Sequence, residues 1–289
     1  MHRSTTKAAA VTATLLAALS FASPAFADDP SMPAVPTQTS ADAVAESANP
    51  AAPARLAEIK LKGAEAIAKR QVSLSETSAK LGQQTQDCGF NVARAGEITT
   101  TSARLATLGQ QLAATNDVTV ARTLYGQIFT ANRVYLVVLP KAGKAMRCDA
   151  YLGRVAEFNA DAAKLQIDID AAKAAGADTT AAQAQKDAAV ATVAGVNPQA
   201  AITPCMGLVP DNGDAGVKAA NAAALKGCDV QLDAVGAALR NGRTQLAAAR
   251  AALGSARKTE KVAERTAKKT AHDAEVAARK AARTTVPKG

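Results

Sequence analysis

Apolar residues recur at intervals of three and four along most of the chain beyond residue 54, the spacing that lines one face of an α-helix. Ile67, Leu74, Leu81 and Cys88 form one stripe and predict a long helix over about 55–87. Ile98, Leu105, Leu108 and Leu112 predict a second over about 91–114, followed by a turn at Asn116-Asp117 with Asp117 as N-cap. Ala121, Leu124, Ile128, Ala131, Tyr135 and Val138 predict a third from 118 to about 136. It runs into Val137-Val138-Leu139-Pro140, where a β-branched cluster before proline predicts a kink or a short extended link.

The fourth stripe is the longest unbroken one: Cys148, Tyr151, Val155, Phe158, Ala162, Leu165, Ile169 and Ala172, ending at Gly176, a good C′ residue. Thr179 or Thr180 then caps a fifth helix reaching about Ala194, and the short linker 175–178 predicts an antiparallel hairpin of the two. Gly195, Asn197-Pro198, Pro204, Pro210 and Asp211-Asn212-Gly213-Asp214 predict a loop over 195–215. A last helix starts near Ala215, with the stripe Leu225, Cys228, Leu232, Val235, Leu239, Leu246, Ala249 and Leu253; beyond it only alanines, Val262 and Val276 continue.

Composition supports an all-α chain. Alanine, the best helix former, is the commonest residue, aromatics are 3% and Trp is absent. An alanine-rich core buries little apolar area per residue, so the helices must approach closely or be cross-linked. The expected fold is an elongated antiparallel bundle of long amphipathic helices, stapled by disulfides.

The two ends differ from the bundle. Arg3 and Lys7, the apolar run Ala8 to Ala22 and Ala25-Phe26-Ala27 have the form of a cleavable export signal over 1–27, with Asp28 as the first mature residue. The run is too short for a membrane span, and no cysteine follows the cut to carry a lipid. Residues 28–53 hold five prolines and four acids with no base, and predict a disordered leader before a bundle domain over 54–253. Residues 254–289 form a basic tail, with ten Lys/Arg against four Asp/Glu out of a formal charge of +9 for the whole chain. The bundle itself is near neutral.

Four cysteines in an exported chain read as two disulfides rather than four buried thiols. Cys88, Cys148 and Cys228 sit on core stripes and Cys205 lies in the 195–215 loop. Folding the helices up and down in sequence brings Cys88 to the end where Cys148 begins its helix, and returns the loop to the end from which the last helix leaves. The expected pairs are therefore Cys88–Cys148 and Cys205–Cys228.

The run Arg133-Val134-Tyr135-Leu136-Val137-Val138-Leu139-Pro140-Lys141 resembles an R-V-Y-x-x-V-L-P-K-like motif of uncharacterised secreted bacterial α-helical proteins. There it precedes a long amphipathic helix and a hairpin of the kind seen at Ala174-Ala175-Gly176-Ala177-Asp178. The resemblance covers about 120–195 and implies an exported helical protein. It carries no activity and no site, and those proteins generally lack the cysteine set.

Catalytic chemistry finds little support. His2 lies in the export signal and His272 stands alone in the tail, which excludes a His-based triad or a multi-histidine metal site in the bundle. Asp211-Asn212-Gly213-Asp214 departs from an EF-hand at Gly213, Ala215 and Ala222, and reads as a turn in which Asp214 caps the last helix. Asp168 and Asp170 point to different sides of one helix and, with Glu97, Glu157 and Asp161, read as a solvated face. Ser73, Ser75 and Ser78 lack a nucleophile elbow, and no phosphate loop or dinucleotide fingerprint occurs.

The expectation is a non-enzymatic secreted protein, without cofactor or metal, associated with the cell envelope or binding an extracellular partner; the alternative is a structural or spacer protein with no ligand of its own. Lys258, Lys261, Arg265, Lys268, Lys269, Arg279, Lys280 and Arg283 are the expected contacts to an anionic cell-wall polymer or membrane surface. A protein partner along the bundle is also expected, and nucleic acid is not, given export and a tail without aromatics.

Overall fold

The computed structural model describes residues 51–284, with side chains described to residue 280. The export signal and most of the leader lie outside the described residues, as do 285–289. The fold is an all-α, disulfide-stapled bundle. Its helices are α1 (Ala52–Gly82), α2 (Asn91–Ala114), α3 (Val118–Thr130), a π-helical turn (Val134–Val138), α4 (Leu139–Ala174), α5 (Thr180–Ala194), α6 (Pro198–Met206) and α7 (Ala215–Thr284).

Two apolar clusters divide the core. The first gathers Ile67, Leu74, Leu81, Ile98, Leu105, Leu112 and Ile128 from α1, α2 and α3, and reaches Ala142 on α4. The second gathers Phe158, Leu165, Ile169, Val193, Ile202, Leu232, Leu239 and Leu246 from α4–α7. The stripes expected from spacing thus supply both cores. In the second, small residues bring the helices close: Ala182, Ala189 and Ala249 are buried. The Gly242 Cα faces Val193 and Phe158 with no room for a methyl group.

Two antiparallel hairpins, α1–α2 and α4–α5, set the helix directions. Lys60 on α1 donates to the Ala113 carbonyl at the far end of α2, so these two run antiparallel. The turn from α4 to α5 is closed by Gly176 at φ +96°, with the Ala177 N–H on the Ala172 carbonyl and the Gly176 N–H on that of Lys173. That is a Schellman cap, with glycine where the left-handed residue must sit. Along α4 and α7 the pairs Glu157–Arg243, Asp161–Arg250 and Asp168–Arg257 advance together, so these helices run parallel, with α5 and the short α6 between them in sequence and α5 opposite in direction.

Both disulfides join the expected partners. Cys88–Cys148 spans a Cα–Cα distance of 6.1 Å and Cys205–Cys228 one of 6.4 Å. Four sequence expectations need correction. First, α1 ends at Gly82, and Cys88 is not on its stripe. Gln83 and Gln84 close the helix on the Lys80 and Leu81 carbonyls, and the Asp87 carboxylate gathers the N–H groups of Gly89, Phe90 and Asn91 to start α2. Second, α3 stops at Thr130, and no extended link precedes Pro140; the β-branched run forms a π-helical turn that leads straight into α4. Proline is tolerated there because first-turn N–H groups need no helical partner.

Third, 195–215 is not all loop. Asn197 caps α6 by accepting from the Ala200 N–H, and Pro198 occupies its first turn. Asn-Pro here starts a helix instead of a turn, and Cys205 lies on it. Fourth, Thr179 holds the N-cap position of α5 but its side chain makes no capping bond; the Asp178 carboxylate before it accepts from the Thr180 N–H at 3.1 Å, and hydrogen bonds from the Thr180 side chain and N–H hold it below the usual carboxylate range. Asp117 and Asp214 cap α3 and α7 as expected. Among the described residues no helix is long and apolar enough to cross a membrane.

Candidate functional site

Two polar regions stand out from the apolar framework: a buried junction between the clusters, and the free end of α7. The junction is built by the run 133–141. Arg133, at φ 39° and ψ 44°, breaks the helical path between α3 and the π-helical turn. Its guanidinium donates from Nε at 2.9 Å and Nη2 at 2.6 Å to one carboxylate oxygen of Asp211. Eight residues on, Lys141 Nζ donates to Glu97 at 2.8 Å and to the Leu208 carbonyl at 2.7 Å. Asn221 on α7 donates to the Val209 carbonyl at 2.8 Å. Three side chains from three elements therefore hold the 207–214 loop against the bundle. The first and last residues of the Arg133–Lys141 run are two of those clamps.

Buried charge is balanced at this junction. Lys141 is 3% exposed, and loss of water pushes its ammonium below the usual lysine range even though Glu97 opposes that shift. Glu97 also pairs with Arg94, so it is not the solvated residue its sequence position suggested. On the neighbouring face Lys144 and Arg147 share Asp229, and Arg147 reaches Asp233. Asp149, beside Cys148, accepts from the Cys88 N–H at 2.7 Å and from Asn91 at 2.9 Å; burial pushes its carboxyl up, and Asp87 adds to that. Within this network Asn91 Oδ1 and Arg94 Nε are buried without a hydrogen-bond partner. Glu157 and Asp168 are exposed and Asp161 is half-buried, and all three are engaged, by Arg243, Arg257 and Arg250 respectively.

An open groove of about 710 Å³ lies along α2 and the end of α3, lined by Thr99, Thr107, Arg104, Gln111, Gln127 and Asn132 among others. It holds one cation and no carboxylate. Among the described residues no cluster of three or more His, Cys, Asp or Glu is arranged to hold a metal ion.

The tail cations are the remaining candidates. Past Arg257, which donates to Asp168, α7 leaves the bundle and stays helical to Thr284. Every residue from Lys261 to Lys280 is exposed. A 27-residue extension at 1.5 Å per residue is about 40 Å long. It grows from a packed helix and so needs no new nucleus. Alanines and the pairs Glu264–Lys268 and Glu275–Arg279, each with the acid four residues earlier, support it further. Glu264 is held below and Lys268 above their usual ranges by this hydrogen bond.

The helical register sorts the tail charges by face. At about 100° per residue, Lys258, Lys261, Arg265, Lys268, Lys269, Arg279 and Lys280 fall within a sector of roughly 120°. Val262, His272 and Val276 share it. Glu264, Glu275 and Asp273 border the sector, and alanines and threonines with Glu260 make up the opposite face. The signal was present in the sequence as the three-and-four spacing of the cations. Arg283 follows on the helical backbone, its side chain beyond those described. The cysteines and the tail thus lie apart, the former as staples and the latter as surface. Compared with known protein families, curated proteins and solved structures, the chain finds no match.

Proposed function

We propose that the protein is a secreted, non-enzymatic helical protein held at an anionic cell envelope through the basic end of α7, the bundle serving as a stapled body that carries this helix and presents its sides to extracellular partners. The observation that carries the reading is the one-sided basic face of the exposed helix 258–280. Two further features support it. Disulfides persist in oxidising compartments, which agrees with the export signal expected over 1–27. Arg133–Asp211 and Lys141–Glu97 are buried structural pairs, whereas the cations of the tail stand exposed close together on one face.

Attachment of this kind is electrostatic. The face carries two valines and no aromatic residue, short of the apolar face of an interfacial helix, and its pull weakens as salt shortens the screening length to about 8 Å at physiological strength. The test is fractionation of producing cells. The full chain should be recovered with the envelope at low salt and released at high salt, and a chain lacking 255–289 should appear in the medium at both. Equal partition of the two chains would overturn the reading.

A further inference from the structure

The form of the basic face points to a particular kind of anion. We infer that the 258–280 face of α7 binds a linear phosphodiester polymer without bases, of the poly(polyol phosphate) type, laid lengthwise along the helix; this rests on the envelope reading above. Seven cations occupy one sector about 33 Å long from Lys258 to Lys280, with rises of about 4.5–6 Å between Lys258, Lys261, Arg265 and Lys268 and a step of about 15 Å from Lys269 to Arg279. The complement is a row of negative charges of similar length.

The borders of the sector decide between a thread and a plane. Asp273 flanks one edge, and Glu264 and Glu275 flank the other. An anionic bilayer is wide and brings its headgroups against these carboxylates, whereas a single chain as narrow as the basic sector does not. Glu264 and Glu275 are already paired to Lys268 and Arg279, and those pairs are exposed and weak enough to exchange for phosphate. The face also lacks an anchor for a bilayer, since Val262 and Val276 are its largest apolar groups. Nucleic acid offers the same phosphodiester charge, but its single strands are held largely by stacking on aromatic side chains, and the tail has no Phe, Tyr or Trp and a single imidazole, that of His272.

The experiment measures binding of the full chain to three probes: purified poly(glycerol phosphate), a single-stranded oligonucleotide, and vesicles containing phosphatidylglycerol. Poly(glycerol phosphate) should bind most tightly. At a slope of about 0.7 per neutralised phosphate for single strands, affinity should fall roughly 10²–10³-fold between 50 and 200 mM salt. A second chain moves four cations to the alanine face through Lys261→Ala, Ala263→Lys, Arg265→Ala, Ala267→Arg, Lys268→Ala, Ala271→Lys, Arg279→Ala and Ala278→Arg. It keeps the net charge and the helix formers, and its helicity is checked by circular dichroism. It should bind the polymer at least tenfold more weakly. Equal binding by this chain, or tighter binding of the native chain to vesicles or to the oligonucleotide, would overturn the inference. If deletion of 255–289 frees the protein from cells while the full chain ignores poly(glycerol phosphate), the envelope reading stands and the polymer assignment falls.

Discussion

Arg133 and Asp211, 78 residues apart, meet as a buried ion pair in which Nε and Nη2 share one carboxylate oxygen, with the side chains 8% and 1% exposed. The same oxygen accepts the Gly213 N–H at 2.8 Å, so Asp211 shapes its own loop as well as binding the guanidinium. Removing one partner strands the other without water. Asp211→Ala should cost about 3–5 kcal/mol, or roughly 6–20 °C in Tm for a domain of this size. Replacing both by apolar residues, Arg133→Met with Asp211→Leu, should cost less than either single change, because no uncompensated charge remains. A thermal-melt series of the three variants checks this; a double variant at least as unstable as the single ones would show that the pair itself is needed.

The disulfides should contribute by restricting the unfolded chain. Their sequence separations are 60 and 23 residues. On the loop-entropy model these are worth about 4 kcal/mol for Cys88–Cys148 and about 3 kcal/mol for Cys205–Cys228. Replacing each pair by serines should lower the urea midpoint in that order. The Cys205/Cys228 variant should also raise amide exchange across α6, which the bond ties to α7 in the second core. Unchanged exchange there would mean that Ile202 and Met206 hold α6 without the bond.

Asp149 should give stability an unusual pH slope. Burial holds its folded carboxyl above the ordinary value of 3.8, with Asp87 adding to the shift and Asn91 and the Cys88 N–H opposing it. A folded state that keeps its proton longer than the unfolded state is favoured at low pH. The contribution is fully present below the unfolded pKa and is lost as pH rises through the raised folded one. Wild-type stability minus that of Asp149→Asn should therefore fall as pH rises above about 4. Urea midpoints of both chains from pH 3.5 to 7 check it; a difference that grows with pH reverses the sign and refutes the account.

Much of this fold is legible as spacing, because a helix whose one face is buried repeats its apolar residues whatever the partner. Ile67, Leu105, Leu165 and Leu246 are all found where that rule puts them. The failures fall where a local signal has two meanings. Asn197-Pro198 is equally a turn and the cap and first turn of a helix, and the next carbonyl or amide decides. Val137-Val138 before Pro140 favours extended backbone locally, yet burial of Val134, Val137 and Val138 in a π-helical turn wins. Partners far apart in sequence left no trace: nothing near Glu97 announces Lys141, and nothing near Arg133 announces Asp211. The basic tail was legible as charge, and its arrangement on one face follows only once the helix is known to continue past Leu253.

The close approach of α5 and α7 provides a last test, since it is how an alanine-rich core compensates for its small side chains. A Cβ on Gly242 would lie 2.6 Å from Val193 Cγ2, 3.0 Å from Phe158 Cε2 and 3.4 Å from the Ala189 carbonyl oxygen. Valine is stiff at χ1 and the carbonyl belongs to a helix backbone, so neither can yield cheaply. Gly242→Ala should thus lose about 1–3 kcal/mol through overpacking, against its intrinsic helix preference. Gly227 lies on the same helix with nothing near its Cα, and is exposed. Gly227→Ala should gain about 1 kcal/mol from helix propensity alone. Opposite shifts of the urea midpoint in these two single-methyl variants would tie the stability of the second core to the α5–α7 distance. A gain in both would mean that the helices can separate without penalty.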